Sequence, residues 1–186
     1  MPGGYLVGMT DLTGKTVAII ATDFFEEAEL VTPRDALRDS GAEVRVYSTG
    51  TDPIQAVEGD TTPTQKVDVD GTLDDLDVSA VDAVVVPGGT VNADRIRVEE
   101  RARAIAREAL DAGKPLAVIC HGPWLLVSAG LVEGRRLTSY HSLADDVRNA
   151  GGTWVDEEVV VDGTLITSRD PDDLPAFVKA LEDALA

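Results

Sequence analysis

The sequence predicts one α/β domain, a three-layer α/β/α sandwich around a mostly parallel sheet, and three observations carry that expectation. Short β-branched apolar runs alternate with stretches of helical periodicity along the chain. Two of the runs, "VDAVVVPGG" (81–89) and "PLAVIC" (115–120), are continuously apolar, as suits strands buried on both faces. At 186 residues with 44% hydrophobic content, the chain can bury one core well and is short for two.

The elements follow in order. "KTVAII" (15–20) is a strand, and the segment after it turns to helical periodicity before a stop at Gly41. "EVRVYST" (43–49) alternates as a strand, and 81–89 is the next one. From 94 to 114 apolar and Ala positions recur every three or four residues up to Gly113, which predicts a single helix. The strand at 115–120 leads into a helix at 122–132 with Pro123 in its first turn. A short strand at 136–140 and a helix at 143–152 follow. "EEVVVDGTLITSR" (157–169) reads as a hairpin about Asp162-Gly163, the one antiparallel excursion. The C-terminal helix begins in acidic residues that suit its positive end. In such sheets ligands sit beyond the carboxyl ends of the strands, where "DFFEEAEL", "PGGT" and "CHGP" all fall.

Composition excludes several classes. Thirty-four acidic residues against 16 basic ones give a net charge of −18, a surface that repels nucleic acid and anionic membrane. Lys occurs only at 15, 66, 114 and 179, and an acidic, Lys-poor surface on an ordinary core points to a salt-rich environment. One cysteine supports neither a disulfide framework nor secretion. With no long apolar run and no leader-like N-terminus, a soluble cytoplasmic protein is expected. "GMTDLTGKT" precedes a strand instead of following one, so it is no phosphate loop. Lys66 occupies the first ligand position of the calcium-loop-like "KVDVDGTLDDLD", and no His/Cys cluster stands at metal-ligand spacing.

The chemistry concentrates at Cys120, where a buried strand turns abruptly into a helix. That is a nucleophile elbow in outline, and a helix N-terminus there would lower the thiol pKa. The other reading is an inert core thiol. His121 is a candidate general base, although an adjacent residue in a tight turn ordinarily points elsewhere; its backbone N–H is the surer contributor, as an oxyanion donor. His141 reads as a loop histidine. Glu26, Glu27 and Glu29 are either helix-start acids or the source of a carboxyl beside the sulfur, kept protonated by a neighbouring thiolate. "PGG" (87–89) is either a plain turn or a loop whose N–H groups face a ligand.

Together, "ATDFFEEAELVTPRDAL", "VVVPGG", "DAGKPLAVICHGPWLL" and "DDVRNAGGTWVDEEVVVDGTLITSRDPDDLPAF" resemble the PfpI-type intracellular protease and deglycase family. That family lies in the superfamily of the Parkinson-disease-associated deglycase and the class I glutamine amidotransferases. The resemblance runs from Lys15 to the end, making 15–186 the domain and 1–14 an N-terminal extension. It implies a flavodoxin-like sheet and Cys120 as nucleophile, with Glu26 as the carboxyl beside the sulfur and His121 as triad histidine. It also implies an oxyanion hole from the N–H groups of Gly89 and His121. The family's third triad member is an acid, usually Glu, from a neighbouring subunit; Asp94 matches its position. A homo-oligomer, dimer or hexamer, is therefore implied, and no external cofactor. The family acts on small dicarbonyls (glyoxalase III), on glycated proteins (deglycase) or on peptides, with a non-enzymatic redox-sensing holdase as the alternative of another kind.

Overall fold

The computed structural model describes residues 10–186. Positions 1–9 of the expected extension lie outside the described residues. Leu12, near its other end, is fully buried, and its N–H donates to the Ser40 carbonyl at 2.7 Å.

The first half of the chain runs β1 (Thr16–Ile20), β2 (Phe25–Glu26), α1 (Glu27–Asp39), β3 (Glu43–Ser48), β4 (Ile54–Glu58), β5 (Thr62–Val67), β6 (Gly71–Thr72), β7 (Ala83–Val86) and α2 (Thr90–Ile96). The second half runs α3 (Glu100–Asp111), β8 (Leu116–Ile119), α4 (Pro123–Ser128), β9 (Arg136–Leu137), α5 (Ala144–Asn149), β10 (Thr153–Trp154), β11 (Val160–Asp162), β12 (Leu165–Ser168) and α6 (Leu174–Leu185). Among the described residues, seven strands make the central sheet in the order β11-β12-β8-β7-β1-β3-β6. All neighbours in it are parallel except β11, which pairs antiparallel with β12 across the expected Asp162-Gly163 turn.

Alternation along the strands splits the core in two. On β1, Val17 and Ile19 join Leu30, Leu37, Phe177 and Leu181 beneath α1 and α6. Ala18 and Ile20 face the other way, onto Ile105 of α3, Leu126 of α4 and Val147 of α5. Burying each large apolar side chain contributes about 1.5–3 kcal/mol, so sheet faces covered on both sides make the rigid centre of the molecule.

Three expectations change. The single helix at 94–114 is two, because Glu99 is extended (ψ 116) and caps a new start; the first helix begins as early as Thr90, directly after Gly89. The strand expected at 136–140 keeps only Arg136–Leu137, in a separate two-stranded sheet with β10. Residues beyond it turn inward, Thr138 N–H donating to Thr167 Oγ1 at 3.0 Å and Tyr140 N–H to the Cys120 carbonyl at 2.8 Å. Finally, β4 and β5 form an unanticipated hairpin that, with β2, makes a three-stranded sheet over the carboxyl ends of the central strands. Its turn brings Gly59 and Asp60 to the chemistry.

Candidate active site

Cys120 leaves β8 with φ 63, a left-handed conformation that costs a non-glycine residue on the order of 1–3 kcal/mol. Hydrogen bonds from Cys120 N–H to the Ser168 carbonyl (3.0 Å) and from Tyr140 N–H to the Cys120 carbonyl hold that strained turn in place. Of the other described non-glycine residues at positive φ, Asp60 lines the cavity over the sulfur and Phe24 brings its carbonyl oxygen against Gly89.

The left-handed turn folds His121 back over its neighbour's sulfur, contrary to the expectation that the ring points elsewhere. Nδ1 lies 3.2 Å from Cys120 Sγ. Tyr140 stacks on the imidazole at 4.6 Å between centroids, and Trp124 meets it edge-on at 5.5 Å. Burial, the larger cause, and His141 hold the His121 pKa below its usual value, while Asp60 pulls the other way. The ring is therefore neutral near pH 7 and able to accept a proton. His141 itself is exposed, its ring tilted 40° against Tyr140 at 4.4 Å between centroids.

The carboxyl at the sulfur is Glu29, which corrects the expected Glu26. Glu26 is the residue before α1 and is extended (φ −67, ψ 119), so its side chain turns outward. Its two oxygens accept the Gly59 N–H (3.0 Å) and the Asp60 N–H (3.2 Å). One helical turn further on, Glu29 points into the core and is fully buried. Oε2 accepts the Gly88 N–H at 2.7 Å, and the carboxyl reaches the Cys120 sulfur. Oε1 has no hydrogen-bond partner among the described residues, which suits a carboxyl that keeps its proton. Burial, against the lowering pull of the Gly88 N–H, pushes its pKa up to about 8.

Burial, then the charge of Glu29, also push the Cys120 thiol above its ordinary value, so the expected lowering by a helix end does not prevail. With six residues, α4 supplies too little dipole to reverse that. The N–H groups of His121 and Gly89 both reach the sulfur and oppose the rise, placing the two expected oxyanion donors together. Bare backbone is essential there. A Cβ on Gly88 would lie 2.5 Å from Glu29 Oε2 and 2.7 Å from Cys120 Cβ. One on Gly89, at φ 87, would lie 2.6 Å from the Phe24 carbonyl oxygen.

Asp94 stands apart. It is exposed on α2 and makes no hydrogen bond or ion pair among the described residues. Two residues that the motifs did not single out do join the site, Tyr140 against the ring and Asp60 at the rim of the cavity. The cavity over the sulfur holds about 250 Å³.

A model of the DJ-1/PfpI family matches residues 15–184. A deglycase of Thermococcus kodakarensis is 42% identical over 163 residues, 88% of this chain and 95% of its own length. A putative cysteine protease of Bacillus subtilis is 37% identical over 164 residues, covering 88% of this chain and 94% of that one. Among solved structures, DJ-1beta of Drosophila melanogaster superposes with a TM-score of 0.82 at 30% identity, over 92% of this chain and 90% of its own.

Proposed function

The chain belongs to the DJ-1/PfpI family, and from that premise we propose that it is a cofactor-independent cysteine enzyme acting on reactive dicarbonyls or their protein adducts. The observation that carries this reading is Cys120 on its left-handed elbow, with His121 Nδ1 at 3.2 Å and a proton-holding carboxyl, Glu29, packed against the same sulfur.

His121 takes the thiol proton as sulfur bonds to the aldehyde carbon of a dicarbonyl, giving a hemithioacetal whose oxyanion meets the N–H groups of Gly89 and His121. Moving the proton of that carbon to the adjacent carbonyl carbon oxidises the first and reduces the second, with no external oxidant. Glu29 is placed to relay it. Water then cleaves the thioester to free the thiol and a 2-hydroxy acid. In a carbinolamine adduct of an amine or guanidine side chain, the C–S bond forms as the C–N bond breaks, the nitrogen leaves with the thiol proton carried over by His121, and the same hemithioacetal goes on to the 2-hydroxy acid.

Peptide hydrolysis is the runner-up, in line with the protease name among the relatives. A cavity of about 250 Å³ favours a small carbonyl compound or a single side chain over an extended peptide. Self-association belongs to this reading too. Asp94 shares α2 with exposed Val91, and exposed Val98 follows the helix, a face that a second copy would cover. The deciding assay is lactate formation from methylglyoxal by wild type and Cys120→Ser, beside cleavage of a fluorogenic peptide. Turnover of methylglyoxal that the Ser variant loses is expected. Equal rates in both proteins, or peptide cleavage alone, would overturn the reading, and oxidation of Cys120 without turnover would move the protein to the redox-sensing class.

A further inference from the structure

If His121 is to take the thiol proton, the lone pair must sit on Nδ1, the nitrogen facing sulfur, and the ring proton on Nε2. Something has to hold it there, and the described part of this chain contains the means. Nε2 lies 3.4 Å from Thr90 Oγ1. That hydroxyl has one proton, and its partner is fixed: Asp60 Oδ2 accepts at 2.8 Å while Asp60 Oδ1 accepts the Thr90 N–H at 2.7 Å. A hydroxyl donating to a carboxylate has only lone pairs left for the ring, so Nε2 must be the donor and Nδ1 the acceptor.

Asp60 is itself held for this. It sits at φ 64 in the β4–β5 turn, and its N–H is bound by Glu26 Oε2 at 3.2 Å. The strain, the Glu26 anchor and the two-pronged hold on Thr90 converge on one carboxylate position. Thr90 opens α2 directly after Gly89, so the loop that supplies an oxyanion donor also supplies the hydroxyl.

We propose that Asp60, acting through Thr90, is the positioning acid for His121 within a single chain, fixing the tautomer in which Nδ1 is the base toward Cys120. The inference rests on the catalytic role of Cys120 and His121 given above. It assigns to Asp60 the part that the resemblance gives to an acid from a neighbouring subunit. At 3.4 Å the Thr90–His121 contact is long in the free protein, and catalytic hydrogen bonds commonly tighten when substrate binds.

The test has a readout that needs no turnover. The protein has two histidines, so a two-bond proton–nitrogen NMR correlation shows two imidazoles, and His141→Gln assigns them. At neutral pH His121 should show the Nε2–H tautomer. In Thr90→Val it should become mixed or inverted, and Thr90→Ser should restore it. In the methylglyoxal assay, Thr90→Val should lower kcat by about 10- to 100-fold with KM within about two-fold. The titratable groups facing the ring are Asp60, Cys120, Tyr140 and His141. Removing the negative one in Asp60→Asn should move the acid limb of kcat/KM to lower pH, because an imidazolium loses its stabilising neighbour. Thr90→Val keeps that charge and should lose rate with the limb in place.

An Nδ1–H tautomer in the wild type, or one untouched by Thr90→Val, overturns the proposal. So does a tautomer that shifts in Asp94→Asn and not in Asp60→Asn. Should Cys120→Ser turn over methylglyoxal like the wild type, the enzymatic reading fails, while the NMR result still judges the relay by itself.

Discussion

Glu29 and Glu26 lie one helical turn apart and face opposite environments, one buried against sulfur and one tied to a surface turn. Glu29→Gln keeps the shape and a donor but cannot exchange a proton, so methylglyoxal turnover should fall by about 10²- to 10⁴-fold, the usual worth of a positioned acid-base. Glu26→Gln should fall far less, its loss coming through the turn it anchors. A second signature follows from linkage. The Glu29 pKa rises from 4.5 in the unfolded chain to about 8 in the folded one, so between those values the unfolded chain has released a proton that the folded chain still holds. Its contribution to stability is complete below pH 4.5 and is lost as pH climbs toward 8. Urea melts at pH 5 and pH 8 should show wild type losing a few kcal/mol relative to Glu29→Gln over that span. Parallel curves would mean that Glu29 is ionised throughout. Which glutamate faces sulfur was not legible in "DFFEEAEL", because it depends on where α1 starts, and Glu26 stands just before it. Cys120 was legible because an apolar strand run ending in Cys-His-Gly-Pro leaves the side chain at the sheet's rim.

The loop from β7 into α2 is the element on which the site depends most, since it carries two glycines, an oxyanion donor and Thr90. Gly89→Ala would have to accept both φ 87 and a Cβ 2.6 Å from the Phe24 carbonyl oxygen, a contact that backbone cannot yield cheaply. It should lose at least about 1–3 kcal/mol of stability. It should also lose 10²- to 10³-fold in kcat as the donor is displaced. Gly163→Ala, at φ 61 with nothing within 4 Å of the added carbon, is the comparison that meets strain without collision. Urea denaturation with steady-state rates separates the two; equal losses would show that the collision is relieved by movement. The strands β1, β3, β7 and β8 and the β11–β12 hairpin were readable because burial on one or both faces writes itself as alternation or as continuous apolar runs. The β4–β5 hairpin was not. In β5 only Val67 is buried and Pro63 interrupts the run, so the segment lacks a pattern even though it places Asp60. Tyr140 escaped for a similar reason: a local strand reading carries it past the point where the chain turns inward.

At the scale of the molecule, the fold class, the parallel sheet and its two helical layers follow from the alternation of elements, and the family model spans residues 15–184. The net charge of −18 has its own consequence. Mutual repulsion among exposed carboxylates is screened as the Debye length shrinks to about 3 Å at 1 M salt, so the melting temperature should climb by several degrees from low to molar salt. A flat profile would remove the reading of a surface shaped by salt. Finally, the site is divided between supports of unequal strength. Cys120 hangs from β8, deep in the central sheet, whereas Asp60 and the anchor for Glu26 hang from a thin three-stranded flap whose outer strand barely touches the core. Warming will therefore peel the flap before it melts the body, and activity will vanish while the helical signal is still intact. A sample in that state recovers on cooling, provided the bared edge of β4 has not already found the same edge on another molecule.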